Sequence, residues 1–406
     1  MKTFISVVII SSMLFAACRD AGTEVQPSLR PVVRNLTALE KQVVTADNSF
    51  GLKLFVCINS AELNKNIFIS PFSVSMALGM ALNGADGSTL DSMKNVLEHS
   101  SFTMQEINDS YRNLSSLLVL LDPGVTFNVA NSVWYKNEFQ VYPTFLDNCR
   151  TYFDAEAASL DFSSPVALQT INGWVNSKTN GKITTIADNI PPDVVMYLIN
   201  AVYFKGVWTY QFDPEKTVPA TFTSAAGSTP CTMMSQHATF AYRATGQEQV
   251  VDLPYGNGLF SLTVVLPAAG ISIDEYAAGL TQQKWQELVS NLDSTEIDLF
   301  MPKFKVEYER RLNDDLIAMG MGIAFSASAD FSRIANEGLF ISEVKHKTFV
   351  EVDEQGTEAA AVTSIAIART AFPSTPTMRI DHSFIMAIRE HASGTILFIG
   401  KIVAPE

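Results

Sequence analysis

The sequence predicts an α+β fold, on three observations. Strand-like runs are numerous, and most follow one another directly rather than in β-α-β alternation, which argues against a purely parallel sheet. Helices carry their own start signals, such as the Thr-x-x-Glu boxes at Thr37 to Glu40 and Thr103 to Glu106. No linker interrupts residues 36–406, although the 406-residue chain is long enough for two or three domains of roughly 150 residues each. With 47% hydrophobic and 17% charged residues, it can bury one large core.

In chain order, the first box opens a helix reaching to about Ile58. Asn66-Ile67-Phe68-Ile69-Ser70-Pro71-Phe72-Ser73 reads as a short strand running into a helix at Pro71, where proline suits the first turn. Ser70 and Ser73 read as caps of that helix. Its body to Leu82 is apolar on most faces, so it is predicted to be buried. The second box opens a helix over residues 103–121, with apolar spacing at Ile107, Tyr111, Leu114 and Leu118. Residues 126–135 read as a strand, and 142–153 and 165–180 as helices. The run 194–204 is apolar nearly throughout, the pattern of a strand covered on both faces. Strands follow over 217–223, 230–234, 239–243, 249–253 and 259–266, with Gly256-Asn257-Gly258 as the turn between the last two. Short helices near 273–279 and 281–292 precede a strand over 296–301, and 311–319 is predicted helical. Strands over 342–352, 377–381, 384–389 and 395–402 complete the chain, which has no repeat and no low-complexity tract.

The net charge of −14 argues against a nucleic-acid binder, which needs a basic face, and otherwise reads as solubility. Residues 1–17 hold Lys2, an apolar run from Phe4 to Phe15, then Ala16-Ala17 before Cys18. That run is too short for a membrane span and reads as a secretory signal. Small residues directly before a cysteine resemble a bacterial lipoprotein processing site. The mature chain would then start at a lipidated Cys18, with residues 18–35, including Pro27 and Pro31, as a tether. An ordinary signal peptide with an incidental Cys18 is the alternative. Cys57, Cys149 and Cys231 cannot all pair, lack metal-like spacing, and read as buried free thiols. His99, His237, His346, His382 and His391 show no metal-ligand spacing. There is no G-x-S-x-G elbow, no Walker motif and no G-x-G-x-x-G. Neither a metal nor a cofactor is expected, and nothing in the chain supports an enzyme beyond a dispersed triad that a sequence cannot exclude.

The unusual stretch runs from Glu354-Gln355-Gly356-Thr357-Glu358-Ala359-Ala360-Ala361 through Val362 and Ile367 to Arg369-Thr370-Ala371-Phe372-Pro373. Loops are ordinarily polar because they lie at the surface. This one is small and apolar, and from Thr357 to Ile367 it could serve as a buried strand. As a strand it would put Thr357, Ala359, Ala361, Thr363, Ile365 and Ile367 on one side, fit to lie beneath a covering helix. Glu358, Ala360, Val362, Ser364, Ala366 and Ala368 would take the other. Such a segment can occupy two places at different times; a merely flexible alanine-rich loop is the alternative.

This stretch resembles the hinge and reactive-centre loop of the serpins, the suicide protease inhibitors. Residues 66–73 resemble that family's N-I-F-x-S-P-x-S segment, and Asn200-Ala201-Val202-Tyr203-Phe204-Lys205-Gly206-Val207-Trp208 is close to another of its motifs. Residues 171–183 look like the serpin helix that lies across the main sheet. Met378 to Ile388 matches the C-terminal signature, with Ser383 where proline is commoner. The resemblance covers residues 36–406 and implies one domain with three β-sheets, about eight or nine helices and an exposed reactive-centre loop over about 354–376.

It further implies a serine protease inhibitor whose loop is cut and then inserted into the main sheet with the trapped acyl-enzyme. Counting Glu354 as the first residue, the seventeenth is Thr370, so the scissile bond is Thr370–Ala371, suited to elastase-like proteases. Arg369, one residue earlier, suits trypsin-like ones, and cysteine proteases are further targets. The hinge would be Glu354, Gly356, Thr357, Glu358, Ala359, Ala360 and Ala361. By the same resemblance Glu354 pairs with Lys303 near Trp208 where the sheet opens, and Ser70, Ser73, Asn200 and His346 form a polar cluster lower down. The helix over 103–121 has Arg112 and no lysine, so heparin is not expected as a partner. The expected form is a monomer, a lipoprotein at the bacterial outer membrane, cell surface or periplasm, or else extracellular. A non-inhibitory serpin acting as a binding or chaperone protein is the second reading, and an envelope hydrolase a third.

Overall fold

The computed structural model describes residues 34–357 and 375–405. The signal segment 1–17, Cys18 and most of the 18–35 tether lie outside the described residues. So do Glu358, Ala359, Ala360, Ala361, Arg369, Thr370 and Ala371.

The first half of the described chain is mostly helical. α1 (Ala38–Ala61) opens on its box: Thr37 Oγ1 accepts from the Glu40 amide at 3.2 Å, and Glu40 accepts from the Thr37 amide at 2.8 Å. Then come β1 (Ile67–Ile69), α2 (Pro71–Leu82), α3 (Gly87–Val96) and α4 (Met104–Leu120), the last on a second complete box. β2 (Val125–Lys136), α5 (Pro143–Phe153) and β3 (Ala155–Leu160) form a β-α-β unit, and α6 (Pro165–Lys178) leads through residues 179–195 to β4 (Met196–Val207). Strands then dominate: β5 (Val218–Ser224), β6 (Gly227–Ala244), β7 (Glu248–Tyr255) and β8 (Phe260–Pro267). Two short helices, α7 (Ile273–Ala278) and α8 (Gln282–Ser290), precede β9 (Asp293–Pro302), β10 (Phe304–Arg311) and the four-residue α9 (Asn313–Leu316). β11 (Lys345–Val352), β12 (Gly356–Thr357), β13 (Thr377–Arg379), β14 (Phe384–Glu390) and β15 (Ile396–Ile402) follow.

The ladders form two networks. Six strands run in the order β10-β11-β12-β4-β2-β3, and nine in the order β1-β15-β14-β8-β7-β6-β9-β13 with β5 added on β6. The expected three sheets are the six-stranded one and the two arms of the other, which share β6. One end of that 18-residue strand pairs with β5, its middle with β9 and its far end with β7. α2, apolar all round, is sandwiched between β4 of one network and β15 of the other and is buried along nearly its whole length. A smaller apolar cluster, with Trp134, Ile171, Trp174 and Ile199, seats α6 on the opposite face of the six-stranded sheet.

β4 is covered on both faces, by α2 and by α6, although Leu198, Asn200 and Val202 are only half-buried beside the two-residue β12. Three readings need correction. The helix over 311–319 shrinks to α9; Arg311 belongs to β10, and Gly320, at φ 114°, breaks the turns that follow. Residues 230–234 and 239–243 are one strand, β6, continuous through polar Ser235, Gln236 and His237. Of the thiols read as buried, only Cys149 is; Cys57 and Cys231 are half-buried.

Candidate functional site

The chain turns sharply after β11. Asp353 Oδ1 accepts from the amides of Gln355 (2.8 Å) and Gly356 (3.2 Å), folding residues 353–356 back on themselves. β12 then lies antiparallel to both neighbours, with Thr357 opposite Val352 of β11 and Gly206 of β4. Gly356 is required by close approach: a Cβ there would overlap the Gly206 carbonyl and stand 2.9 Å from the Val207 Cα.

Trp208 holds this turn from the β4 side. Its backbone amide donates to the Gln355 carbonyl at 2.9 Å and its indole Nε1 to the Asp353 carbonyl at 2.9 Å. The Glu354 carboxylate meets Lys303 Nζ at 2.8 Å. Burial pushes that carboxyl up, but hydrogen bonding and the Lys303 charge outweigh it, so it titrates below the ordinary range. Thr357 is buried, its hydroxyl 2.5 Å from the phenol of Tyr255 on β7. Tyr255 stacks on Trp208 with ring centroids 4.5 Å apart. Thr357 therefore faces the interior between the two networks, the side on which α2 lies, and not the side covered by α6.

Lower down, the first turn of α2 carries two polar pairs. The Ser70 amide donates to His346 Nε2 at 3.0 Å, and the Ser70 hydroxyl donates to the Leu397 carbonyl at 2.7 Å. Burial pushes the His346 pKa down to about 4, so the ring is the neutral acceptor this bond requires. Ser73 Oγ donates to Asn200 Oδ1, and Asn200 Nδ2 donates to Asn131 Oδ1 at 2.7 Å. Asn131 in turn donates to the Phe153 carbonyl at 2.6 Å. Asn200 and His346 thus stand on opposite banks, each tied to α2. Among the described residues no ladder bond joins β4 directly to β11. Further down, a cavity of 270 Å³ lies between Leu198 and Asn200 on one bank and His346 on the other, lined also by Ala77 of α2 and Ile186 from the 179–195 connector.

A sheet in which β4 and β11 share no ladder, with a two-residue strand already seated at the top of the slot between them, is the arrangement into which a mobile strand can be received. The family model described as "Serpin (serine protease inhibitor)" matches residues 45–405. The chain belongs to the serpin family. Among curated relatives it is 33% identical to the intracellular coagulation inhibitor 2 of Tachypleus tridentatus, over 88% of this chain and 90% of that protein. Among solved structures it is similar to the thermophilic serpin Tengpin in the native state, with TM-score 0.83 and 33% identity over 91% of this chain and 95% of that one. Human thyroxine-binding globulin complexed with thyroxine matches with TM-score 0.83 and 29% identity, over 91% and 100% of the two chains.

As a family, serpins are inhibitors of serine proteases and not catalysts, although some members are non-inhibitory. One Ser–His–Asp cluster does occur in this serpin. Ser261 Oγ lies 2.9 Å and Asp252 Oδ2 3.1 Å from the same His391 nitrogen, Nε2. A triad needs the two partners on opposite ring nitrogens, so the cluster is not arranged as one. Arg389, 2.8 Å from Asp252 Oδ2, completes a polar network across β7, β8 and β14.

Of the residues named from sequence, Glu354, Lys303, Trp208, Gly356 and Thr357 meet at the top of the slot, and Ser70, Ser73, Asn200 and His346 at the α2 turn. Sequence reasoning missed Tyr255 and Asn131. Leu253-Pro254-Tyr255-Gly256 reads as the end of a strand before a turn, and a lone asparagine in a strand carries no local signal.

Proposed function

We propose that this serpin is a suicide inhibitor of serine proteases. The protease's serine oxygen attacks the carbonyl of Thr370, or of Arg369. The amide bond breaks, the new amine leaves with a proton, and the ester links protease to loop. Residues beyond Thr357 then enter the slot between β4 and β11 and carry the acyl-enzyme with them. About sixteen residues at roughly 3.3 Å each would move it about 50 Å. The observation that carries this reading is the seating of Gly356 and Thr357 above an open cavity. Continuing the register two residues at a time sets Ala359 opposite Phe204, Ala361 opposite Val202, and Thr363 level with Asn200 and His346. Small side chains on that face suit the narrow space above α2.

Incubation with elastase-like and trypsin-like proteases is expected to give a covalent complex that survives SDS and boiling. The released peptide should begin at Ala371, or at Thr370 if Arg369 is the bait. Clean cleavage with the protease left fully active defeats this reading. The likeness to thyroxine-binding globulin favours a second one, a non-inhibitory binding protein. A large rise in melting temperature after loop cleavage supports insertion; no rise supports the second reading.

The same proposal places the serpin on a bacterial envelope, anchored by a lipid on Cys18 after removal of residues 1–17, with secretion into the medium as the alternative. Fatty-acid labelling that is lost in Cys18→Ser tests the anchor.

A further inference from the structure

The outer bank of the slot is tied down by charge. Odd-numbered residues of β11 face away from α2, and the connector 179–195 runs antiparallel over them. Lys182 Nζ lies 3.5 Å from Glu351 and 4.8 Å from the centre of the Phe349 ring. Lys347 Nζ reaches Thr185 Oγ1 at 3.4 Å, and Lys345 Nζ meets Asp188 at 2.9 Å. The contacts descend β11 as the connector ascends in number, one rung about every three residues. The other side of the connector belongs to the opposite bank: Ile183 packs in one cluster with Ile199 and Ala201 of β4, and α6 sits on β2 and β4. Ile186 and Ala187 line the cavity itself, facing Ala77 and Leu78 of α2 across it. An entering strand must therefore pass between the connector and α2.

We propose that the 179–195 connector is an electrostatic strap, which the Asp188–Lys345 and Lys182–Glu351 pairs fasten across the slot and which sets the rate of strand entry. The inference rests on the insertion reading above. Other charges facing these groups include Glu309 on β10, 2.8 Å from Lys345 and 3.0 Å from Lys347, and Lys305, over Phe349 at 5.3 Å. They join β10 to β11 on one bank only, so they do not cross the slot. Each strap pair has its carboxylate in solvent, Asp188 at 78% and Glu351 at 42% accessible, while Lys345 and Lys182 are half-buried. Each is therefore individually weak and is screened by salt. Such a strap holds the slot without sealing it, and it makes entry faster at high ionic strength.

The test compares the wild type with Asp188→Asn/Lys182→Gln and with Glu309→Gln, each at saturating protease and at low and high salt. Complex formation is quenched into SDS and timed. The double variant is expected to insert about three- to tenfold faster at low salt and to lose most of the salt dependence, given the small worth of exposed pairs. Glu309→Gln, which cuts no rung across the slot, is expected to keep the wild-type salt slope. Equal rates and equal salt slopes in wild type and double variant overturn the strap. If the wild type is cleaved without forming a complex, the inhibitor reading fails separately, and the strap is then read from the rate at which the cleaved chain gains heat resistance. A cleaved chain that gains none overturns both.

Discussion

The Thr357 hydroxyl and the Tyr255 phenol face each other at 2.5 Å, both buried, one from the main sheet and the other from the nine-stranded network. Burial pushes the phenol's pKa far above its ordinary value, so Tyr255 keeps its proton and can act as the donor. Gly206 sits against the same ring, and a Cβ there would stand 2.7 Å from Tyr255 Cδ1. The point at which the loop enters the sheet is thus gauged by a residue of the other network.

Tyr255→Phe removes the phenol and leaves the Thr357 hydroxyl buried without this partner. The expected loss is about 1–2 kcal/mol, read by urea unfolding. Because Thr357 is seated before any cleavage, intact and nicked protein should lose the same amount. A loss confined to the nicked form would mean that the hinge is not seated in solution.

Thr363→Arg tests the register. It would bring an unpaired charge to the level of Asn200 and His346, at a cost of several kcal/mol. The variant is expected to fold as the wild type does and to be cleaved at the same bond. Its yield of SDS-stable complex should fall at least about tenfold, a factor that 1.4 kcal/mol already supplies.

His346 makes stability pH-dependent. The unfolded ring titrates near 6.5 and the folded ring at about 4, held down by burial. The stabilisation from the neutral ring is complete above about pH 6.5 and is lost as the pH falls through about 4, for a total of about 3 kcal/mol. Denaturant midpoints measured from pH 7 downward should show this decline. His346→Gln, which can still accept from the Ser70 amide, should flatten it.

Asn131→Ala breaks the chain from Ser73 through Asn200 to the Phe153 carbonyl. The buried Phe153 carbonyl and the half-buried Asn200 amide lose this partner, for an expected loss of about 2–3 kcal/mol in thermal or denaturant unfolding. Asn131→Asp, which keeps the acceptor and removes the donor, should recover part of it.

Much of the fold was legible because its signals are local. The two Thr-x-x-Glu boxes mark α1 and α4, and Pro71 marks α2. α3 went unassigned: Gly87 to Val96 offers only Leu90, Met93 and Val96 as apolar positions. β3 escaped because Ala-Glu-Ala-Ala-Ser-Leu is an edge strand with half-exposed residues and little β preference. β6 was divided because its middle is polar, and only its pairing with β9 shows that the chain never leaves the sheet. In the site, Glu354 and Lys303 could be named from the family pattern. Tyr255 and Asn131 could not, since their partners are cross-strand neighbours far away in sequence, where no periodicity points.

β6 also offers something practical. As one unbroken rod common to both arms, it supplies a fixed frame against which displacement of other parts can be surveyed. Cys231 lies on it, half-buried and unpaired. A dye on that thiol, with Cys57 replaced, would serve as a stationary landmark. Distances from it to a label on α6 would then record travel of the covering helix rather than tumbling or distortion of the body beneath.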